Sequence, residues 1–256
     1  MTGDDHVLAR DLAGQAGQRL LELRAQGGDP DVLRKAGDRL SHEFLTAALA
    51  ALRPGDVVLS EEGADNPARL GARRVWIVDP LDGTREFGEP GRTDWAVHVT
   101  LWERTGDASG ELTAGAVALP AQGTVLSTLE PPPGPPGDAA ATPLRIVVSR
   151  SRPPSFVRDI SGLINAELVP LGSAGAKVAA VVCGEVDAYV HGGGFYEWDT
   201  AAPVAVARAA ALHASRIDGS ALAYNQPDLL MPDILVCRPA VAGTLLQAIR
   251  EVTNAP

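Results

Sequence analysis

Two carboxylates stand three residues apart where an apolar run ends, in Val75-Trp76-Ile77-Val78-Asp79-Pro80-Leu81-Asp82-Gly83-Thr84. A strand runs into Asp79, then a proline that ends sheet pairing, a second acid, and a glycine that lets the backbone turn. Both carboxylates then point into the same space. Hard divalent cations such as Mg²⁺ take oxygen ligands and few protein groups, so two carboxylates around a turn supply part of such a site. A Gly83-Thr84 step that opens a helix leaves backbone N–H groups free to receive a phosphate oxygen. Taken alone, D-P-x-D-G-T also fits an acidic turn. Two other acidic places bear on the choice. Glu61 and Glu62 follow the apolar run Val57-Val58-Leu59-Ser60, and Asp199 stands in Glu197-Trp198-Asp199-Thr200-Ala201-Ala202-Pro203, at the expected start of a helix. By residue type, Glu61 also suits a solvated strand end, and Asp199 an N-cap for orphan amides.

The elements that must position these acids follow from periodicity. Leu8, Leu12, Ala16 and Leu20 line one face of a helix over Val7–Leu23. A second helix is expected from Ala36 to Leu52, stopped by Pro54-Gly55-Asp56. The pattern then shifts to short β-branched and aromatic runs at Val57–Leu59, Arg74–Val78, Trp95–Trp102 and Leu112–Leu119, which read as strands. The stretch Glu130–Pro143 is proline, glycine and small residues, a linker or surface loop, and sets a boundary between residues 1–140 and 141–256. Beyond it, strands at Leu144–Val148, Leu168–Leu171, Val186–Val190 and Ile234–Cys237 alternate with helices at Phe156–Ile164, Ala174–Cys183 and Trp198–Ala214. This alternation predicts a mainly parallel or mixed sheet covered on both faces.

The composition is that of a soluble globular chain, with 45% hydrophobic and 21% charged residues among 256. A net charge of −10 argues against a nucleic-acid partner, since a phosphate backbone needs a basic footprint. No apolar run approaches the roughly eighteen residues of a membrane helix. The acidic start, MTGDDHVLARDLAG, is unlike a signal peptide, so the expected location is the cytoplasm. Cys183 and Cys237 lie in apolar stretches without C-x-x-C spacing and read as small buried thiols.

The set Ser60-Glu61-Glu62, Trp76 to Thr84, and Trp198 to Ala202 resembles the inositol monophosphatase superfamily of Mg²⁺-dependent, Li⁺-sensitive phosphatases, in order and approximate spacing, over nearly the whole chain. The resemblance implies an α/β layered αβαβα sandwich of the sugar-phosphatase type. It implies two or three Mg²⁺ ions held by Glu61, Asp79, the carbonyl of Leu81, Asp82 and Asp199. Asp38 matches the acid that pairs with the motif threonine, which makes Asp38 and Thr84 the pair that orients the attacking water, with Glu61 beside them.

Within that family the continuation Thr84-Arg85-Glu86-Phe87 and the run Gly172-Ser173-Ala174-Gly175-Ala176-Lys177 resemble the branch acting on 3′-phosphoadenosine 5′-phosphate, and inositol-type enzymes usually read D-G-T-x-N-F. A second phosphate wants a cation or backbone donors, which Lys177 and the Ser149-Arg150-Ser151-Arg152 cluster can supply, so the expected substrate contacts are Gly83, Thr84, Arg85, Ser149, Arg150, Lys177 and Asp199. Gly192-Gly193-Gly194 lies where some relatives carry an acid that recognises inositol hydroxyls. The expected partner is therefore a small phosphorylated nucleotide, with inositol-1-phosphate or fructose-1,6-bisphosphate as the alternative. A non-catalytic metal-binding protein on the same scaffold is disfavoured by the presence of both Asp38 and Thr84. Oligomeric state is left open, a homodimer included, and Pro203 stands where a glycine is frequent.

Overall fold

The computed structural model describes residues 4–106, 109–133 and 143–253. The boundary expected near residue 140 lies outside them. Helix α1 (Asp5–Ala25) buries Leu12, Ala16 and Leu20, the stripe read from the sequence. Helix α2 (Pro30–Leu52) begins six residues before the expected Ala36. Its start is set by Asp29, whose carboxylate accepts from the Asp31 and Val32 N–H groups, with Pro30 just behind it. Asp38 consequently lies inside the helix, more than two turns from its N-terminus.

Strands β1 (Val57–Ser60), β2 (Arg74–Asp82), β3 (Ala96–Arg104), β4 (Gly110–Leu119) and β5 (Thr124–Ser127) form one sheet in chain order. Only β1 and β2 are parallel; the other neighbours are antiparallel. The sheet is buried on both faces, so its strands read as continuous apolar runs. Trp76, Val78, Val97, Val99 and Leu101 pack against α1 and α2. Val75, Ile77, Ala96, Val117 and Leu119 face the other way, toward α5 (Ala174–Val182) and α6 (Glu197–Ala209).

The second sheet has the order β7-β6-β8-β10-β9, built from β6 (Arg145–Ser149), β7 (Glu167–Leu171), β8 (Ala188–Tyr196), β9 (His213–Ser215) and β10 (Leu230–Cys237). It is mixed, as expected: β6 runs parallel to β7 and β8, and β10 antiparallel to β8 and β9. Val147, Tyr189, Ile234 and Val236 meet α5 and α6 from this side. On its outer face Ile146, Val190 and Leu235 pack against Val157 and Ile160 of α4 (Ser155–Ile164) and Leu245 and Ile249 of α7 (Pro239–Thr253). The layers are helix, sheet, helix, sheet, helix, as in the expected αβαβα sandwich. Among the described residues, no helix is long and apolar enough to cross a membrane.

Two further local expectations are corrected, and one strand was not foreseen. The helix expected to reach Ala214 ends at Ala209, because Ala211 adopts a left-handed φ of 58° and the chain turns into β9. Cys183 is exposed where α5 stops, and only Cys237 is buried. Strand β5, four residues long, was not legible at all. Pro203 lies inside α6, where it cannot donate the helical hydrogen bond to the Asp199 carbonyl.

The short helix α3 (Thr84–Gly88) hangs from the end of β2 and is tied to α1 by one side chain. Arg24 donates to the carbonyls of Glu89 (2.6 Å), Arg92 (2.7 Å) and Glu86 (3.4 Å) while covering the rings of Phe87 and Trp95. Replacing Arg24 with Ala should cost about 1–3 kcal/mol, since charged hydrogen bonds are lost from a half-buried carbonyl cluster. Chemical denaturation checks this. Arg24→Lys should recover only part, because an ammonium lacks the planar fork that serves several acceptors at once.

Candidate active site

Alternation along β2 places Asp79 on the face of Val75 and Ile77, toward α5 and α6. The same alternation would send Asp82 to the opposite face. It does not, because the register slips: Asp79 pairs with His98 and Asp82 with Ala96, so β2 uses three steps where β3 uses two. The extra residue turns Asp82 back to the side of Asp79. Gly83 follows at φ 85°, a left-handed conformation that suits glycine, and starts α3. Asp199 arrives from the first turn of α6. One oxygen from each of Asp79, Asp82 and Asp199 falls within 4.8 Å of the others. Glu61 follows β1, whose Ser60 pairs in parallel with Val78, so Glu61 runs alongside Asp79.

The donors around this cluster are unevenly distributed. Asp82 Oδ2 accepts from the Ser173 hydroxyl (2.5 Å) and the Gly175 N–H (2.6 Å), both at the start of α5, and lies 3.3 Å from His98 Nε2. Burial would push the Asp82 carboxyl up, but His98, Lys177 and Ser173 overcome it and hold it at about 2. His98 is shifted upward in turn; burial opposes that shift, and Asp82 outweighs it. Asp79 Oδ1 accepts from the Leu81 N–H (3.0 Å), but its Oδ2 is buried with no donor among the described residues. Burial first, then Glu61, Asp82 and Asp199, drive the Asp79 carboxyl well above the usual range. Asp199 accepts from the Tyr196 N–H (2.6 Å), yet burial and Asp82 raise it to about 7. Glu61 is exposed at its outer edge; even so, partial desolvation and the charge of Asp199 lift it to about 7.

Such a cluster is short of positive charge. A buried carboxylate oxygen without a donor, beside two others within ligand distance, is the donor set a hard divalent cation takes. Next to it the Thr84 hydroxyl donates to the Leu81 carbonyl (3.0 Å) and lies 3.4 Å from Asp38 Oδ1. Asp38 is raised to about 6 by burial and then by Glu62.

Asp82 and Asp199 open onto a crevice of about 530 Å³ between the sheets, whose lining includes Gly83, Thr84, Arg85, Ser149, Lys177 and Asp199 of the expected substrate contacts. Arg152, His191 and Gly192–Gly194 complete its far wall. Arg150 does not line it. Its guanidinium is held by Glu86 (2.7 Å) and Glu89 (2.9 Å), and Arg152 points to the crevice in its place. Lys177 lines the crevice but is almost wholly buried, donating to the Ser173 (2.6 Å) and Gly172 (3.2 Å) carbonyls. Sequence reasoning missed His98, whose only signal was a histidine inside the apolar run Trp95–Trp102.

Residues 8–254 match the model of the inositol monophosphatase family. The chain belongs to the inositol monophosphatase family. Enzymes of this family use divalent metals, and the Asp79–Asp82–Asp199 triad is of the kind that holds one. Among curated relatives, a 3′-phosphoadenosine 5′-phosphate phosphatase of Mycobacterium leprae is 52% identical, over 97% of this chain and 94% of its own length. The 3′(2′),5′-bisphosphate nucleotidase CysQ of Escherichia coli K12 is 29% identical over 84% of this chain and 91% of its own. The family fold recurs in inositol monophosphatase II of Staphylococcus aureus, with a TM-score of 0.76 at 22% identity, covering 96% of this chain and 92% of that one. CysQ from Bacteroides thetaiotaomicron superposes with a TM-score of 0.74 at 27% identity, over 91% and 97% of the two chains.

Asp79→Asn keeps the acceptor for the Leu81 N–H and removes one charge from the crowded cluster. The metal-free variant should melt no lower than metal-free wild type, and MgCl₂ should raise the melting temperature of the wild type but not of the variant. Thermal unfolding in EDTA and in MgCl₂ measures both.

Proposed function

We propose that the chain is a Mg²⁺-dependent phosphomonoesterase that removes the 3′-phosphate from 3′-phosphoadenosine 5′-phosphate to leave AMP, a cytoplasmic step of sulfate assimilation. The observation that carries this reading is the crowded aspartate triad beside the Thr84–Asp38 pair, at the mouth of a crevice with cationic walls. Two or three Mg²⁺ ions held by Glu61, Asp79, the Leu81 carbonyl, Asp82 and Asp199 would neutralise these carboxylates, activate water and stabilise the departing alkoxide. Thr84 and Asp38 orient the water that attacks phosphorus in line, with the Asp38 carboxylate accepting its hydrogen bond. Backbone N–H groups of the Gly83-Thr84 turn face the phosphate oxygens. No side-chain nucleophile and no covalent phosphoenzyme is required. In this reading residues 1–140 are the metal-binding part and residues 141–256, which add Asp199, the substrate-binding part.

The choice of nucleotide over inositol phosphate rests on three supports. The M. leprae relative is named for 3′-phosphoadenosine 5′-phosphate. A Cβ at Gly192 would come within 2.8 Å of the Phe156 ring, and Gly193 and Gly194 hold φ of 73° and 81°, so the backbone disfavours an acid for inositol hydroxyls along this run. Arg85 and Arg152 line the crevice and enter none of the ion pairs that hold Arg150, which leaves them for the second phosphate. Lys177 then acts as an internal tie, keeping the Gly172-Ser173 turn against the site.

The test is a comparison of kcat/KM for 3′-phosphoadenosine 5′-phosphate, inositol-1-phosphate and fructose-1,6-bisphosphate at saturating MgCl₂. A charge-assisted contact to the second phosphate of about 1.5–3 kcal/mol means roughly a tenfold to hundredfold preference for the nucleotide. Arg152→Ala should erode that preference with less effect on inositol-1-phosphate. LiCl should inhibit where KCl at equal ionic strength does not. Equal efficiency on inositol-1-phosphate would overturn the substrate assignment, and no phosphate release from any ester would overturn the chemistry.

A further inference from the structure

His98 is fully buried on the face of β3 that looks toward α5 and α6, and no step of the proposed reaction uses it. Its Nδ1 lies 3.1 Å from the Trp198 carbonyl, in the first turn of α6, and 3.9 Å from Asp79 Oδ2. Its Nε2 lies 3.3 Å from Asp82 Oδ2. On the remaining side α5 closes over the ring so tightly that a Cβ at Gly175 would stand 2.1 Å from Nε2. That close approach is what lets the Gly175 N–H reach Asp82 at 2.6 Å. One rigid imidazole therefore touches β2 and α6, which carry the three aspartates, and α5, which supplies the donors to Asp82.

This matters because the aspartates come from two layers. Asp79 and Asp82 belong to the first sheet, and Asp199 to a helix packed between the sheets. Like charges push these layers apart, and coordination tolerates little error in ligand spacing. A flexible side chain at position 98 would fill space without fixing distance. The planar ring, with two nitrogens on opposite edges, sets the gap between Asp82 and the backbone of Trp198-Asp199.

We propose that His98 is a positioning residue of the metal centre, fixing the spacing between the β2 aspartates and Asp199 by bridging Asp82 and the Trp198 carbonyl. This rests on reading Asp79, Asp82 and Asp199 as ligands of a divalent cation. Side chains that orient ligands in this way commonly change metal affinity by about tenfold to a hundredfold when removed.

The two nitrogens can be tested separately. His98→Asn leaves an amide nitrogen near the Nδ1 position, His98→Gln leaves one near Nε2, and His98→Ala leaves neither. Titration calorimetry of MgCl₂ into each metal-free protein reads affinity directly, and near-UV circular dichroism checks packing. His98→Ala should bind Mg²⁺ about tenfold to a hundredfold more weakly, with Asn and Gln each recovering part of the loss. In the kinetic assay the Mg²⁺ concentration for half-maximal rate should rise, while KM for the nucleotide at saturating Mg²⁺ stays within about threefold of wild type. A merely structural histidine would lower the melting temperature in EDTA and leave Mg²⁺ affinity unchanged. Should His98→Ala fail to fold, Asn and Gln variants that both match wild-type affinity overturn the proposal. If wild-type protein itself binds no Mg²⁺, the metal-centre reading fails and takes this role with it. If wild type binds and the variants match it, only the role of His98 fails.

Discussion

Carboxylates from three distant stretches of chain are forced together at the junction of two sheets, and like charges at such distances repel. At an effective dielectric near 20, a pair of unit charges about 5 Å apart repels by roughly 3 kcal/mol. Over the three pairs among Asp79, Asp82 and Asp199 that comes to roughly 10 kcal/mol, comparable with the entire stability of an ordinary domain. Among the described residues only Asp82 is well supplied with donors, the Ser173 hydroxyl and the Gly175 N–H, with the His98 ring 3.3 Å away. The others answer the crowding by raised proton affinity. A divalent cation removes the same penalty without protonating the ligands, which is why the arrangement is one for binding metal and poor as an empty core.

The scaffold that tolerates this strain is rigid where the charges sit. Strand β2 is covered by α1 and α2 on one face and by α5 and α6 on the other, so Asp79 and Asp82 cannot drift apart without opening a core. The register slip opposite His98 and Ala96 puts both on one face. Helix α5 begins at the cluster and helix α6 delivers Asp199 to it, so the middle layer is both packing and active-site wall. Between the sheets, residues from both parts of the chain line one crevice.

Much of this was legible in the sequence, for physical reasons that also explain what was not. D-P-L-D-G-T announces itself because an apolar strand, a proline and a glycine dictate its local shape. Apolar runs alternating with helical stripes announce a mixed sheet covered on both faces, while the full αβαβα layering was implied by the resemblance to the family. The side that Asp82 takes was not legible from alternation alone, since it depends on a bulge formed with a partner strand. The start of α2 was misplaced because the Asp29-Pro30 cap precedes the apolar stripe that signals the helix. Arg150 and Arg152 are indistinguishable by type. Which one reaches the crevice is decided by Glu86 and Glu89, more than sixty residues away. His98 was hidden for the same reason: its meaning lies in what folds against it.

The most direct measurement is anomalous diffraction from crystals of the protein soaked in MnCl₂. Strong peaks are expected between Asp79, Asp82 and Asp199, at least one of them within ligand distance of Asp79 Oδ2, the buried oxygen that no donor among the described residues serves. Peaks elsewhere, or an aspartate cluster that stays empty at saturating Mn²⁺, would contradict the metal-centre reading.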